Sequence, residues 1–274
     1  MTRHIYGPKR VRTLGENSWN GTREPYPERT VDHRTPAVVL TAVFAATLLA
    51  TGTAPAQAGN ASRQAALDTL TPAEGAAGWR LLFDGKTTTG WRGFKMDSMP
   101  SGWKAVGGTL ARMAPAGDIM TREKFRDFEL TLEWNVAPRG NSGIFYRASE
   151  DDDAIYWTAP EMQVLDDAKH PDGQSRLTAA GSDYGLYPSP PGVVKPAGDW
   201  NRVRIVVKGN HVQHWLNGVK VVEYELGSPD WETKVKASKF ATHPRYGRNA
   251  EGYIGLQDHG DRVAYRNIKI RVLP

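Results

Sequence analysis

The chain of 274 residues contains no cysteine. That excludes a disulfide framework, a thiolate nucleophile and a lipid-anchored cysteine behind an export signal. Helical periodicity is equally scarce, since no window keeps it beyond about two turns. Long apolar runs reduce to one, Ala37 to Ala50, which is too short for a comfortable membrane span. It follows Arg34 and leads into Ala56-Gln-Ala58, so residues 1–58 read as a leader whose apolar region is 37–50 and whose cleavage falls after Ala58. Its Arg- and Pro-rich first 34 residues are long for a leader, and a start near Val31 would give ordinary proportions. A basic surface is missing as well. Seven of the 35 basic and four of the 30 acidic residues precede Gly59, which leaves 28 against 26 in the remainder. No basic stripe for nucleic acid remains, and the product is expected to be soluble in the periplasm or the medium, off the membrane once cleaved.

Short β-type runs broken by turn residues fill the rest. Residues 59–77, rich in Ala and Thr, read as a spacer, with order beginning near Trp79 and a single domain over 78–274. In Asn201-Arg-Val-Arg-Ile-Val-Val207 the residues Val203, Ile205 and Val207 share one face, the alternation of a half-buried strand. Asp84-Gly85, Gly209-Asn210 and Asn217-Gly218 are hairpin signals, the last being the best. Many antiparallel strands in about 200 residues predict an all-β, single-domain jelly-roll β-sandwich. Two proline-rich stretches, 166–198 and 227–251, are long enough to be binding rims.

Three strand-like segments carry the chemistry. Gly255-Leu-Gln-Asp-His-Gly260 sets an imidazole between glycines, which predicts close substrate approach to His259. Pro160-Glu-Met-Gln-Val-Leu-Asp166 offers Glu161 and Gln163 on one face, and Asn141-Ser-Gly-Ile-Phe-Tyr-Arg147 offers Arg147 on a face with Gly143 and Phe145. Gln257 shares a face with His259, while Trp157, Tyr184 and Tyr187 fall near the loops that would rim a sugar cleft. Each residue alone has a plain alternative: a strand glutamate is often a paired surface group, and His259 could cap a turn. The spacing Glu161-x-Gln163-x-x-Asp166 is similar to that of laminarinase-type retaining glycosidases. Strand rise would put the two carboxylates about 16 Å apart, where a retaining pair needs about 5–5.5 Å.

Phe83-Asp-Gly-Lys86, Gly90-Trp91, Phe125-Arg-Asp-Phe-Glu-Leu130, Glu133-Trp134, the three segments above, Gly198-Asp-Trp-Asn201, His214-Trp-Leu-Asn-Gly218 and Tyr265-Arg-Asn-Ile-Lys-Ile-Arg271 occur in order from 79 to the end. Together they resemble the 3-keto-disaccharide hydrolase family, secreted bacterial proteins of concanavalin A-like jelly-roll fold. One stretch departs from it: Gly181-Ser-Asp-Tyr184, where the family tends to have an apolar pair before the tyrosine.

The resemblance implies a carbohydrate whose glucose-type ring already carries a ketone at C3, supplied by a separate sugar C3 oxidoreductase. That ketone acidifies the C2 hydrogen, the enolate expels the C1 substituent, and water adds to the enone, giving net hydrolysis. Such chemistry needs a base at C2, a cation or donors at the C3 oxygen and an acid at the leaving oxygen. His259 and Glu161 fit base and acid in either order, Arg147 fits the enolate oxygen, and Gln163 and Gln257 fit ring hydroxyls. Asn141, Asp166 and His214 from the quoted motifs, Trp157 and Tyr184, and Lys195 from the long loop complete the expected sugar contacts. A divalent cation held by Glu161 and His259 is the alternative electrophile, although no closed ligand motif is present. An ordinary retaining glycosidase and a non-catalytic sugar-binding module are the competing readings.

Overall fold

A computed structural model describes residues 67–274. The leader, its apolar region, the cleavage position and the start of the expected spacer lie outside them. The described part of that spacer is structured: a helix α1 (Pro72–Ala76) is closed by a capping box in which Thr71 and Glu74 exchange side-chain bonds to backbone N–H groups. Asp68 accepts from the Asn267 backbone N–H, and Glu74 pairs with Lys269 at 2.7 Å. Order therefore begins before Trp79, because acidic side chains in this Ala-rich stretch find partners on the last strand.

Thirteen strands follow: β1 (Arg80–Leu81), β2 (Trp91–Gly93), β3 (Trp103–Val106), β4 (Thr109–Arg112), β5 (Ile119–Phe125), β6 (Phe128–Val136), β7 (Asn141–Ala148), β8 (Glu161–Leu165), β9 (Asn201–Lys208), β10 (His211–Leu216), β11 (Val219–Glu225), β12 (Gly252–Leu256) and β13 (Val263–Val272). One helix, α2 (Pro229–Lys236), lies between β11 and β12. All strand pairings are antiparallel, and they build a sheet ordered β11-β10-β9-β6-β13-β4-β3 with β1 beside β13, and a smaller one ordered β2-β5-β12-β7-β8. This is the expected jelly-roll sandwich.

Val203, Ile205 and Val207 of β9 and Leu130, Leu132 and Trp134 of β6 are buried in the core, with Ile144, Tyr146, Met162, Val164, Ile254 and Leu256 of the smaller sheet in the same cluster. The Asn217-Gly218 turn has φ of 50° and 87°, the primed geometry that matches strand twist. Asp84-Gly85 is a loop turn instead: the Asp84 carboxylate accepts from the Lys86 and Thr87 backbone N–H groups.

Strands β7 and β8 are buried along their whole length. One face meets the core; the other is covered by connecting segments. The strand β8 lies at its sheet's edge, and residues 181–184 satisfy it: Gly181 N donates to Gln163 O, Gln163 N to Ser182 O and Tyr184 N to Glu161 O. In this added ribbon Ser182 and Asp183 are fully buried. Of the four ribbon residues, Tyr184 alone lines the cleft.

Candidate active site

A cavity of about 380 Å³ opens on the outer face of the smaller sheet, between the ribbon and the α2 connection. Glu161 and Gln163 reach it from β8, Asn141 from the start of β7, Gln257 and His259 from the segment after β12, and Tyr156, Trp157, Tyr184 and Lys239 from the loops. Alternation explains the selection: Met162 and Val164 enter the core, so Glu161 and Gln163 must point outward.

Glu161 lies flat against β7. A Cβ at position 143 would fall 2.0 Å from its Oε1, so only glycine permits this close approach. The glycine beside the imidazole works differently. A Cβ at 255 would meet Ile155 at 2.5 Å, so that space holds a side chain of the Ile155–Trp157 turn and is not a path for substrate.

Burial pushes the Glu161 carboxyl up to about 8, opposed by the Lys239 cation. Gln163 buries both amide atoms without a protein partner, and the Oδ1 of Asn141 and Oε1 of Gln257 are likewise buried and unpartnered. Unpaired polar atoms facing a cleft are ready acceptors and donors for a polyhydroxylated ligand. His259 lies edge-on to His170 at 6.2 Å.

Lys239 and Asp118 belong to the cleft without having been legible as site residues. The Lys239 ammonium lies 4.3 Å from the Tyr184 ring centre, 5.2 Å from Phe240, 5.4 Å from Tyr156 and 5.9 Å from Trp157. Burial lowers its pKa, while Glu161 and Asp172 raise it. Its one available signal was its position in a stretch expected to rim a site. Asp118 accepts from the Asp258 backbone N–H at 2.8 Å and so fixes the segment carrying His259; burial lifts its carboxyl to about 6. Asp258 itself is occupied, pairing with Arg112 Nε at 2.7 Å and accepting from Ala116 and Gly117 N–H groups.

Four expected residues lie elsewhere. Arg147 sits at a bulge: Tyr253 pairs with Ala148 and Gly255 with Phe145, which leaves one extra residue in β7, and Arg147 takes φ of 52°. The extra residue breaks the alternation, and the guanidinium donates to Gly209 O at 2.5 Å and Arg126 O at 3.1 Å, tying two turns together. His214 faces the core between the sheets, where Tyr146 OH is 2.8 Å from Nε2 and Gly181 O is 3.2 Å from Nδ1; burial takes its pKa down to about 4. Asp166 directly follows β8 and accepts from the Arg139 N–H at 2.8 Å, a turn cap and no partner to Glu161. Lys195 lies on the outer face of the larger sheet and donates to Trp200 O at 3.1 Å. Among the described residues no three His, Asp or Glu side chains gather as a metal set, and Glu161 with His259 alone do not make one.

A two-sheet antiparallel jelly roll with a polar, titratable cleft on the outer face of one sheet defines a ligand-binding β-sandwich of the concanavalin-like class. Within that class the chain belongs to the family described as the 3-keto-alpha-glucoside-1,2-lyase-like domain, which matches residues 78–271. It is 39% identical over 243 residues to a 3-keto-disaccharide hydrolase of Bacteroides thetaiotaomicron, covering 77% of this chain and 84% of that one. A Parabacteroides distasonis structure assigned provisionally to the glycosyl hydrolases superposes with a TM-score of 0.72 at 32% identity, over 76% of this chain and all of that one. A second structure from the same organism, with the same provisional assignment, gives 0.56 at 28% identity, over 67% and 99%.

Proposed function

We propose that this protein is an exported glycoside-cleaving enzyme that acts on 3-keto-glycosides by removing the C2 proton, expelling the C1 substituent and hydrating the enone. The observation that carries the reading is a buried, proton-retaining Glu161 in one cleft with His259 and a caged Lys239. A carboxyl lifted to about 8 stays protonated at neutral pH and serves as the acid at the leaving oxygen. His259 then takes the C2 proton. Lys239, among the described residues the one Lys or Arg side chain lining the cleft, assumes the role first expected of Arg147 and faces the negative charge growing on the C3 oxygen. Gln163, Gln257 and Asn141 hold ring hydroxyls, and Trp157, Tyr156 and Tyr184 wall the ring. Water then adds at C1 and gives a proton to the Glu161 carboxylate while the His259 imidazolium returns one to C2, which restores both side chains to their starting states.

The name of the Bacteroides relative and the family description support this substrate class. On this reading the C3 ketone comes from an oxidoreductase acting earlier on the sugar, and the leader read in residues 1–58 supports a reaction outside the cytoplasm. Incubation with a 3-keto-glucoside and with its unoxidised parent tests the reading: the account expects aglycone release from the ketone only, and equal release from both would overturn it.

A further inference from the structure

The larger sheet carries a second cavity, also about 380 Å³, on the face turned away from the core. It stands apart from the cleft, on the other sheet. Its floor is a row across three strands, in which Trp215 of β10 pairs with Arg204 of β9 and Arg204 with Thr131 of β6. Side chains alternate, so these three point outward while Val203, Ile205 and Leu216 fill the core. Thr131 and Gly218 are small, and the depression forms over them.

Chemistry narrows the occupant. The Trp215 indole is half-exposed, held by its Nε1 donating to Gln213 Oε1 at 3.1 Å, with the Arg204 guanidinium 5.3 Å from its ring centre. Arg204 is paired with Glu129. Arg202, by contrast, is exposed, and among the described residues its guanidinium meets no carboxylate. Lys195 adds a third cation, and among the described residues no acidic side chain lines the cavity. A flat indole takes the C–H face of a pyranose, while an unpaired guanidinium fork takes a carboxylate. The volume lies within the range of about 300–1,000 Å³ usual for small-ligand sites.

We propose that this cavity binds a carboxylate-bearing sugar, so that the protein holds an acidic oligosaccharide on the sheet opposite its cleft. The sugar ring stacks on Trp215, the carboxylate sits on Arg202, and Lys195 and Thr131 meet neighbouring hydroxyls. The inference is independent of the reaction proposed for the cleft.

Calorimetric titration of the folded protein with trigalacturonate, and with neutral maltotriose as control, tests it. Saturable binding of the uronate at millimolar concentrations, weakened by salt and roughly tenfold or more weaker in Trp215→Ala and in Arg202→Glu, is the expected result, the usual loss on removing one stacked or charge-assisted contact. Activity in the cleft should be the same in both variants. Arg202 is exposed, so if Trp215→Ala fails to fold, Arg202→Glu decides alone. Absence of uronate binding, equal binding of maltotriose, or binding unchanged in Arg202→Glu would overturn the proposal.

Discussion

Glu161 concentrates the electrostatic character of the cleft in one carboxyl. Burial lifts its pKa in the folded protein to about 8, well above the ordinary glutamate range, so it keeps its proton through neutral pH. As the acid of the reaction it must lose activity as pH rises through about 8, and the alkaline limb of the kcat/KM profile should fall there. Glu161→Gln should lower kcat by roughly 10²-fold or more and remove that limb. A variant with near-normal kcat and an unchanged alkaline limb would take the acid role away from this residue. Lys239→Met keeps the aliphatic stem among the four rings and removes the charge; kcat should fall by about 10²-fold with little change in KM, since the charge it faces grows only in the transition state. None of this was legible in the local spacing for Lys239, which sits in an irregular segment where no period tells which way a side chain turns. Glu161 and Gln163 were legible because strand alternation fixes their direction.

At the scale of the element, alternation was reliable as long as the strand stayed regular. It assigned Phe145 and Gly143 to the cleft face correctly and then failed two residues later, at the bulge. A single extra residue reverses every direction beyond it, and nothing in Asn141-Ser-Gly-Ile-Phe-Tyr-Arg147 marks where it falls, since the αL residue is an arginine with no glycine to announce it. His214 shows the same limit from the other side: its motif implied a sugar contact, yet in the regular strand β10 it alternates with Gln213 and Trp215 and therefore lies in the core with Val212 and Leu216. The consequence for Arg147 is a change of expected phenotype. Arg147→Ala should destabilise the fold by about 2 kcal/mol, because it removes the buried guanidinium and its bonds to the Gly209 and Arg126 carbonyls, while folded enzyme at low temperature keeps its kcat. Chemical denaturation together with active-site-normalised rates checks this; a stable variant with kcat reduced 10²-fold would return Arg147 to the chemistry.

For the whole molecule, the sandwich followed from turn chemistry and alternation, and the motif order along the chain led to the family. The hydrogen bond and the ion pair that draw residues 68–76 into the fold were hidden, because a composition of Ala, Thr and Gly does not show that Asp68 and Glu74 will meet partners about two hundred residues away. A global pH dependence also follows from burial. Asp183 is completely buried, which lifts its carboxyl from 3.8 to about 8. Below about pH 4 it is protonated in folded and unfolded chains alike. Between about 4 and 8 the unfolded chain sheds a proton that the folded chain retains, so stability falls as pH rises and the contribution is lost once pH passes about 8. Asp183→Asn should flatten this slope and raise Tm at pH 8 by roughly 4 °C or more. Identical pH-dependent melting in variant and parent would contradict the assignment.

The reaction itself is tested most directly at the C2–H bond. A 3-keto-glucoside deuterated at C2 should react more slowly than its protiated form, or lose its label to solvent as the aglycone departs, because the account makes proton removal beside the ketone an obligatory step. Cleavage at the same rate for both isotopologues, with the deuterium fully retained at C2 in the product, would contradict it and leave direct displacement at C1 as the mechanism.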